Sequence, residues 1–456
     1  MTGSTPSGRA VRHRPEGSPE RLKVAVGCGV GATIETYDFI GFGTAAALYF
    51  GDAFFPDSDP LSATLLSFAT LGIGFAARPL GGIIAGHLGD RVGRKPVLVG
   101  SLLIMGIATV LIGCLPTYQT VGVWAPVLLV AVRVVQGLAF GAEWGGAILM
   151  TFEHAPWHKR GLYTGITQAG FPVGLLLANL AFLLSSRTFE GTWAWRVPFL
   201  LSAVLIVVGI LIRLKIDESP EFEELKESGQ VSRNPLIEVL RDDWRNVLRA
   251  FCLRIAETAG YAISVTFIVS YLGDDEAPDV TSAVSLTALV TAAAIGIFAT
   301  TLWGRLSDRI GRRPVYLAGC AVTLLWGIPM FLLVNTEVAA LVLVTFVVSY
   351  AVCQNSLAGV QGAWFSELFA TKTRTAGTSL AYQLSAVVSG FTPLIATALY
   401  SSTGWIGPAV LFSFYGLLGL VATLLTRETW GAVERAEADR APQGPPAMAA
   451  SQPIEE

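Results

Sequence analysis

Apolar residues in this chain gather in twelve long stretches separated by short polar segments, at about 24–48, 62–88, 97–116, 124–151, 161–185, 196–216, 250–272, 281–303, 314–334, 338–366, 375–400 and 405–427. An α-helix rises about 1.5 Å per residue, so about 20 apolar residues cross the hydrocarbon core of a bilayer. The pattern predicts an all-α membrane protein of twelve transmembrane helices. Small residues inside the stretches, such as Gly27, Gly29, Gly31 and the pair Gly81-Gly82, suit helices that pack with their backbones close together.

The polar segments are not all alike. Gly86-His87-Leu88-Gly89-Asp90-Arg91-Val92-Gly93-Arg94-Lys95-Pro96 lies between the second and third stretches, and Gly304-Arg305-Leu306-Ser307-Asp308-Arg309-Ile310-Gly311-Arg312-Arg313-Pro314 between the eighth and ninth. Asp308 follows Asp90 by 218 residues, close to half of the 456, so the chain reads as two similar halves. Glycine permits a tight turn, proline starts the next helix, and the aspartate can complement the positive N-terminus of a neighbouring helix. A second echo supports the repeat: Glu153 and Arg160 stand seven apart after the fourth stretch, and Glu367 and Arg374 seven apart after the tenth. These two pairs are expected to form ion pairs that hold the halves together.

Charge refines the picture. Hydrophobic residues make up 52 % of the chain, charged residues 14 %, and the mean hydropathy is +0.57; soluble chains carry about 25 % charged residues. Of the 31 lysines and arginines, Arg78, Arg133 and Arg254 lie within stretches and Arg187 and Arg196 on one set of loops. The others fall on the alternate loops and the two tails, which places both termini and the central linker in the cytoplasm and the protein in the cell membrane. A net charge of −3 without a basic face gives no support to a nucleic-acid partner. Cys28, Cys114, Cys252, Cys320 and Cys353 lack paired spacing, so neither disulfides nor a metal site is expected. Residues 1–20 lack the apolar core of a cleaved signal peptide. The expected division is a tail at 1–20, a six-helix half at 21–216, a linker at 217–249, a second half at 250–428 and a tail at 429–456, both tails being disordered.

Ionisable side chains within a membrane span are costly and normally face a pathway or a partner. Helix 1 carries Glu35, Tyr37 and Asp38; helix 2 carries Arg78; helix 4 carries Arg133, Gln136 and Glu143 at helical spacing. Counting residues puts Glu35 and Arg78 at matching depth, about 16 and 15 Å from the cytoplasmic ends, and Asp38 within reach of Arg133. Helix 7 carries Arg254 and Glu257 at i and i+3, able to neutralise each other. Gln168, Gln354, Asn355, Gln361, Tyr382 and Gln383 supply hydrogen-bonding groups in the remaining spans.

The repeated loop resembles the loops after helices 2 and 8 of the major facilitator superfamily. Ile34-Glu35-Thr36-Tyr37-Asp38-Phe39, Ala77-Arg78-Pro79-Leu80-Gly81-Gly82, Arg133 to Gly137, Gly141 to Gly146, Glu153-His154-Ala155-Pro156, Trp195 to Phe199 and Asp217 to Pro220 narrow the resemblance to its metabolite:proton symporters. That branch takes up dicarboxylates, citrate, shikimate, proline or betaine. The likeness runs from about 22 to 428, and Leu115 to Pro156 is most similar to shikimate-type members. Thr36 stands where the branch has tryptophan, and Ala370 where it has proline. The resemblance implies two pseudo-symmetric six-helix halves, alternating access, no cofactor, a small-molecule substrate and a proton as coupling ion, with sodium as the alternative; a monomer is the expected unit. Gly86, Asp90, Arg91, Gly93, Arg94, Gly304, Asp308, Arg309, Gly311 and Arg312 would then belong to the gate.

Two readings of substrate follow. In one, Arg133 holds the carboxylate of a small organic acid while Asp38 or Glu35 carries the proton; in the other, the cargo is a zwitterion or polyol and Arg133 serves only coupling. A membrane enzyme or receptor is a third class, for which the chain shows no nucleophile and base, metal cluster, phosphate loop or soluble domain.

Overall fold

The computed structural model describes residues 19–92, 94–141, 144–214, 235–273, 280–370 and 373–431. Among these, every regular element is helical. The spans are α1 (Pro19–Leu48), α2 (Pro60–Val92), α3 (Arg94–Cys114), α4 (Trp124–Phe140, resuming at Trp144–His154), α5 (Trp157–Thr188) and α6 (Trp193–Leu214). After the linker follow α7 (Trp244–Tyr271), α8 (Ser282–Ile310), α9 (Arg312–Val334), α10 (Ala339–Leu368), α11 (Arg374–Thr403) and α12 (Ile406–Leu425). Nine of these are long and apolar enough to cross a bilayer, α3 and α4 contribute shorter apolar stretches, and α1 completes the set. Its lower hydropathy comes from the charges the sequence singled out, Glu35 and Asp38 among them. Within the linker, Pro235–Asp242 forms a short helix.

Local chemistry sets the boundaries. Asp59 accepts the Ser62 N–H at 3.0 Å and caps α2, whose first residue is proline. Gly311, with φ of 100°, makes the turn from α8 into α9. Among the described residues, two spans carry π-helical segments, Ala262–Phe267 in α7 and Val348–Gln354 in α10. Such segments widen the turn and re-aim side chains, and they concentrate at functional sites.

The packing repeats with a shift of six helices. α1 packs on α5 and α6, α2 on α4, and α3 on α6; correspondingly α7 packs on α11 and α12, α8 on α10, and α9 on α12. The seams between the sets are α2 with α11 and α5 with α8, which exchange under the same shift. Small residues make the close crossings possible: a Cβ on Gly137 would stand 2.1 Å from the Gly74 carbonyl oxygen, and one on Gly81 only 2.0 Å from that of Leu138. Outward faces remain apolar, with Phe298 71 % and Leu325 74 % exposed, as a lipid-facing surface requires.

The two sets touch at both ends. Opposite the basic loops, Tyr37, Ile40, Leu175 and Ala178 share a buried cluster with Val265, Phe267 and Ile268. On that side Phe50 and Phe54 of the short helix Phe50–Phe54 pack with Phe42, Trp195 and Phe199.

Candidate functional site

Three helices of the first half bring one buried polar cluster together. Asp38 on α1 accepts hydrogen bonds from the Thr109 hydroxyl on α3 at one carboxylate oxygen and from the Gln136 amide on α4 at the other. The same amide stands 3.0 Å from the Thr109 hydroxyl oxygen. Gln136 in turn accepts from Arg133 through its side-chain oxygen. The expected approach of Asp38 to Arg133 therefore runs through a neutral amide. No carboxylate among the described residues lies within ion-pair distance of Arg133, which is buried with its guanidinium 3.8 Å from the Phe42 ring centre.

Arg78 is held by aromatic faces. Its guanidinium carbon sits 3.9 Å from the centres of both Phe75 and Phe140, and it is within electrostatic reach of Glu35, Tyr382 and Asp38. Glu35 is buried nearby. Tyr37 turns away and donates to the Pro198 carbonyl on α6 at 2.6 Å.

The second half carries a related cluster. Arg254 and Glu257 on α7 pair at 2.9 Å, Arg254 donates to Gln361 on α10, and the Gln361 amide donates to the Tyr316 hydroxyl on α9 at 2.8 Å. The Arg254 guanidinium also lies 4.0 Å from the Tyr382 ring centre. Asp38, Thr109 and Gln136 thus have counterparts in Glu257, Tyr316 and Gln361, each on the helix six places later. Asn355 donates to the Gly296 carbonyl at 3.3 Å. Gln168 donates across the seam to the Ala358 carbonyl at 3.2 Å, and Gln383 crosses the other way to that of Gly141 at 3.1 Å. Gln354 is fully buried.

At the basic end, Asp308 joins the halves. Its carboxylate accepts the backbone N–H of Gly161 at 2.8 Å and of Leu162 at 2.7 Å, two of the free donors in the first turn of the helix Arg160–Gln168. Gly161 and Gly304 are in backbone contact there, since a Cβ on either would stand 2.4 Å from the carbonyl oxygen of the other. Arg312 pairs with Asp308 at 2.7 Å and with Glu367 at 3.2 Å, and Thr429 donates to Glu367 at 2.5 Å. The expected pair of Glu367 with Arg374 therefore does not form: Arg312, entering α9 beside α10, takes that carboxylate. Arg374 and Arg160 both approach the Phe152 ring, at 5.1 and 4.2 Å, and Glu153 lies on the same helix as that ring. Glu428 accepts the Arg312 and Arg313 backbone N–H groups beside the Gly311 turn, and Arg309 is exposed. Gly93 and Glu143 lie outside the described residues, as do the side chains of Asp90, Arg91 and Arg94; Gly86 belongs to α2.

Sequence reasoning missed Thr109, Tyr316, Glu428 and Thr429. Thr109 and Tyr316 sit in apolar runs, where a hydroxyl reads as packing; only the repeat, by asking what stands on helices 3 and 9 opposite the acids, would have pointed to them. Among the described residues no group of three or more His, Cys, Asp or Glu is placed to hold a metal ion.

Comparison with known proteins agrees with this architecture. The chain matches the sequence profile of the Major Facilitator Superfamily over residues 29–359 and 250–451. It is 36 % identical over 416 residues to the shikimate transporter of Escherichia coli (strain K12), covering 89 % of this chain and 94 % of that protein. It is 32 % identical over 425 residues to the proline/betaine transporter of the same organism, covering 89 % and 83 %. The proton:xylose symporter XylE bound to 6-bromo-6-deoxy-D-glucose superposes with a TM-score of 0.69 at 16 % identity, over 91 % of this chain and 98 % of that one, a likeness of fold. With twelve helices in two pseudo-symmetric halves and full-length relatives that are transporters, the chain belongs to the Major Facilitator Superfamily and is a multi-pass membrane protein, a secondary transporter of small molecules and not an enzyme.

Proposed function

We propose that this protein couples the movement of protons to uptake of a small organic acid by alternating access, in the cell membrane, with both termini cytoplasmic and a six-helix half on each side of the linker 217–249. The observation that carries the proposal is the arrangement at Arg133: a buried guanidinium with no carboxylate at ion-pair distance among the described residues, beside a carboxylate that it reaches only through Gln136. A buried cation needs a compensating anion. A substrate carboxylate at Arg133 supplies one, and it disturbs the Gln136 bridge that also holds Asp38. Asp38 is thereby placed to gain or lose a proton as substrate enters and leaves, with Glu35 beside Arg78 as the second carrier.

Alternation then needs a seam that opens. Asp308 closes the basic end by capping the helix Arg160–Gln168, and the sequence repeat assigns Asp90 the matching role toward the start of α11. The test is uptake by proteoliposomes of labelled acids and zwitterions, with and without an imposed pH gradient. Accumulation of an acid driven by the gradient and lost in Arg133→Gln is expected. Accumulation of proline or betaine in preference, unaffected by Arg133→Gln, would instead favour the zwitterion reading that the proline/betaine relative raises.

A further inference from the structure

Across the seam between α2 and α11, each helix sets a phenylalanine against a glycine of the other. A Cβ on Gly390 of α11 would stand 2.5 Å from the Phe75 Cβ and 2.6 Å from its ring, and one on Gly72 of α2 would stand 2.5 Å from the Phe391 ring. Both rings are seated in notches that exist only while the two helices touch. Phe75 lies one turn before Arg78, and α2 runs on from there to the basic loop, so these notches are on the side of Arg78 away from that loop.

Phe75 also covers Arg78. The guanidinium carbon is 3.9 Å from the Phe75 ring centre and 3.9 Å from that of Phe140, and the Phe39 ring stands edge-on to Phe75 at 4.6 Å. No carboxylate among the described residues is within ion-pair distance of Arg78. Aromatic faces attract a cation most strongly where water is excluded, so the two rings stabilise the buried charge in place of an anion. Glu35 on α1 is buried within electrostatic reach. The other ionisable groups that face Arg78 are Asp38 on α1, Arg133 on α4, Arg254 on α7 and Tyr382 on α11. Asp38 is held by Thr109 and Gln136, Arg133 by Gln136, and Arg254 by Glu257 and the Tyr382 ring. Glu35 is thus the carboxylate to which Arg78 can turn. Of the two rings on Arg78, Phe140 belongs to the same half, whereas Phe75 is pinned by the other half through Gly390.

We infer that Phe75 is a positioning residue that ties closure of the α2–α11 seam to proton loading at Glu35, its ring being pinned over Arg78 by Gly390 when the seam is closed and leaving Arg78 to Glu35 when it is open. The inference rests on the proton-coupled reading above and gives Glu35 its part in it. With the seam open, Arg78 stabilises an ionised Glu35, which waits as a base facing solvent. Closure seats Phe75, draws Arg78 between the rings and leaves Glu35 with the proton it has taken from solvent, because a buried carboxyl group without its cation is more stable neutral. By linkage, proton binding must favour the closed seam.

The experiment uses the purified full-length protein, freed of its five native cysteines and spin-labelled at the exposed outer ends of the two helices, Leu61 and Ser402, with the separation read by pulsed electron resonance at pH 8 and pH 5.5. The ratio of closed to open seam is expected to rise about five-fold or more on acidification. Phe75→Leu keeps apolar bulk but no aromatic face and should respond less than about two-fold; Glu35→Gln should not respond. Gly390→Ala displaces the ring without removing it and should flatten the response as well, which keeps the test alive if Phe75→Leu does not fold. A response in Phe75→Leu equal to that of the unaltered protein, a response that survives in Glu35→Gln, or an unaltered protein indifferent to pH overturns the inference. So does a response restored by combining Phe75→Ala with Gly390→Leu, which refills the notch from α11 and would show the ring to act by packing alone. None of these results touches the proton-coupled reading while an imposed pH gradient drives uptake in proteoliposomes; loss of that uptake ends both.

Discussion

Asp308 carries the seam at the basic end, and replacing it with asparagine has a calculable effect. Its two bonds to the backbone N–H groups of Gly161 and Leu162, at 2.8 and 2.7 Å, exist only while α5 and α8 are together. Hydrogen bonds to a charged acceptor contribute about 1.5 to 3 kcal/mol each, net of water. Asparagine keeps one acceptor oxygen and no charge, so one bond is lost and the other falls to the neutral range of about 1 kcal/mol. Arg312 adds little to the difference between states, since it stays in the same half and retains Glu367 at 3.2 Å. The closed arrangement should lose about 2 to 5 kcal/mol relative to the one open at this end, a shift of about 30- to 4,000-fold at 1.4 kcal/mol per factor of ten. Spin labels at the exposed positions Lys159 and Arg309, in a background freed of the five native cysteines, report the separation by pulsed electron resonance. Asp308→Asn should move the distribution toward longer distances and slow transport. An unchanged distribution would refute the reasoning, and the carboxylate would then be no latch.

Asp38→Asn is expected to abolish accumulation against a gradient while preserving energy-independent exchange, because reorientation no longer waits for a proton; continued accumulation driven by a pH gradient would transfer the role to Glu35. Gly304→Val places bulk where a Cβ already stands 2.4 Å from the Gly161 carbonyl oxygen; it should force α5 and α8 apart, making a cysteine at Lys159 more reactive and lowering transport in protein that still reaches the membrane. A cysteine at Ser58 should react with an impermeant reagent on intact cells and one at Arg94 should not; labelling at position 94 would reverse the orientation. Arg312→Gln removes the partner shared by Asp308 and Glu367 and leaves two buried carboxylates near each other; thermal stability in detergent should fall markedly, a loss of about 3 to 5 kcal/mol being usual for a broken buried pair.

Much of this was legible in the chain because the membrane imposes strict demands on sequence. A span must satisfy its backbone internally and hide its charges, so apolar length marks each helix and every Asp, Glu or Arg inside one stands out. Glu35, Asp38, Arg78, Arg133, Arg254 and Glu257 were visible on that ground, and the pair Arg254 with Glu257 forms as its i,i+3 spacing allows. Helical periodicity also put Arg133 and Gln136 on one face. It said nothing of Thr109, because a threonine in an apolar run satisfies its hydroxyl on its own helix as readily as on a neighbour.

By itself, then, the sequence determined the number of spans, the two-fold repeat, the charge asymmetry between loops and the list of ionisable groups, all of them properties counted along one chain. Which groups meet was decided only by tertiary structure. That Gln136 stands between Asp38 and Arg133, that Arg312 and not Arg374 takes Glu367, and that Asp308 reaches the start of α5 all depend on how α1, α3, α4, α5, α8, α9 and α10 cross. Those crossings are set by contacts between surfaces far apart in sequence, such as Gly137 on Gly74 and Gly161 on Gly304. The π-helical segments Ala262–Phe267 and Val348–Gln354 belong to the same class. Widening a helix by one residue costs local hydrogen bonding that only the packing around it can offset, and apolar periodicity along α7 and α10 carries no mark of it.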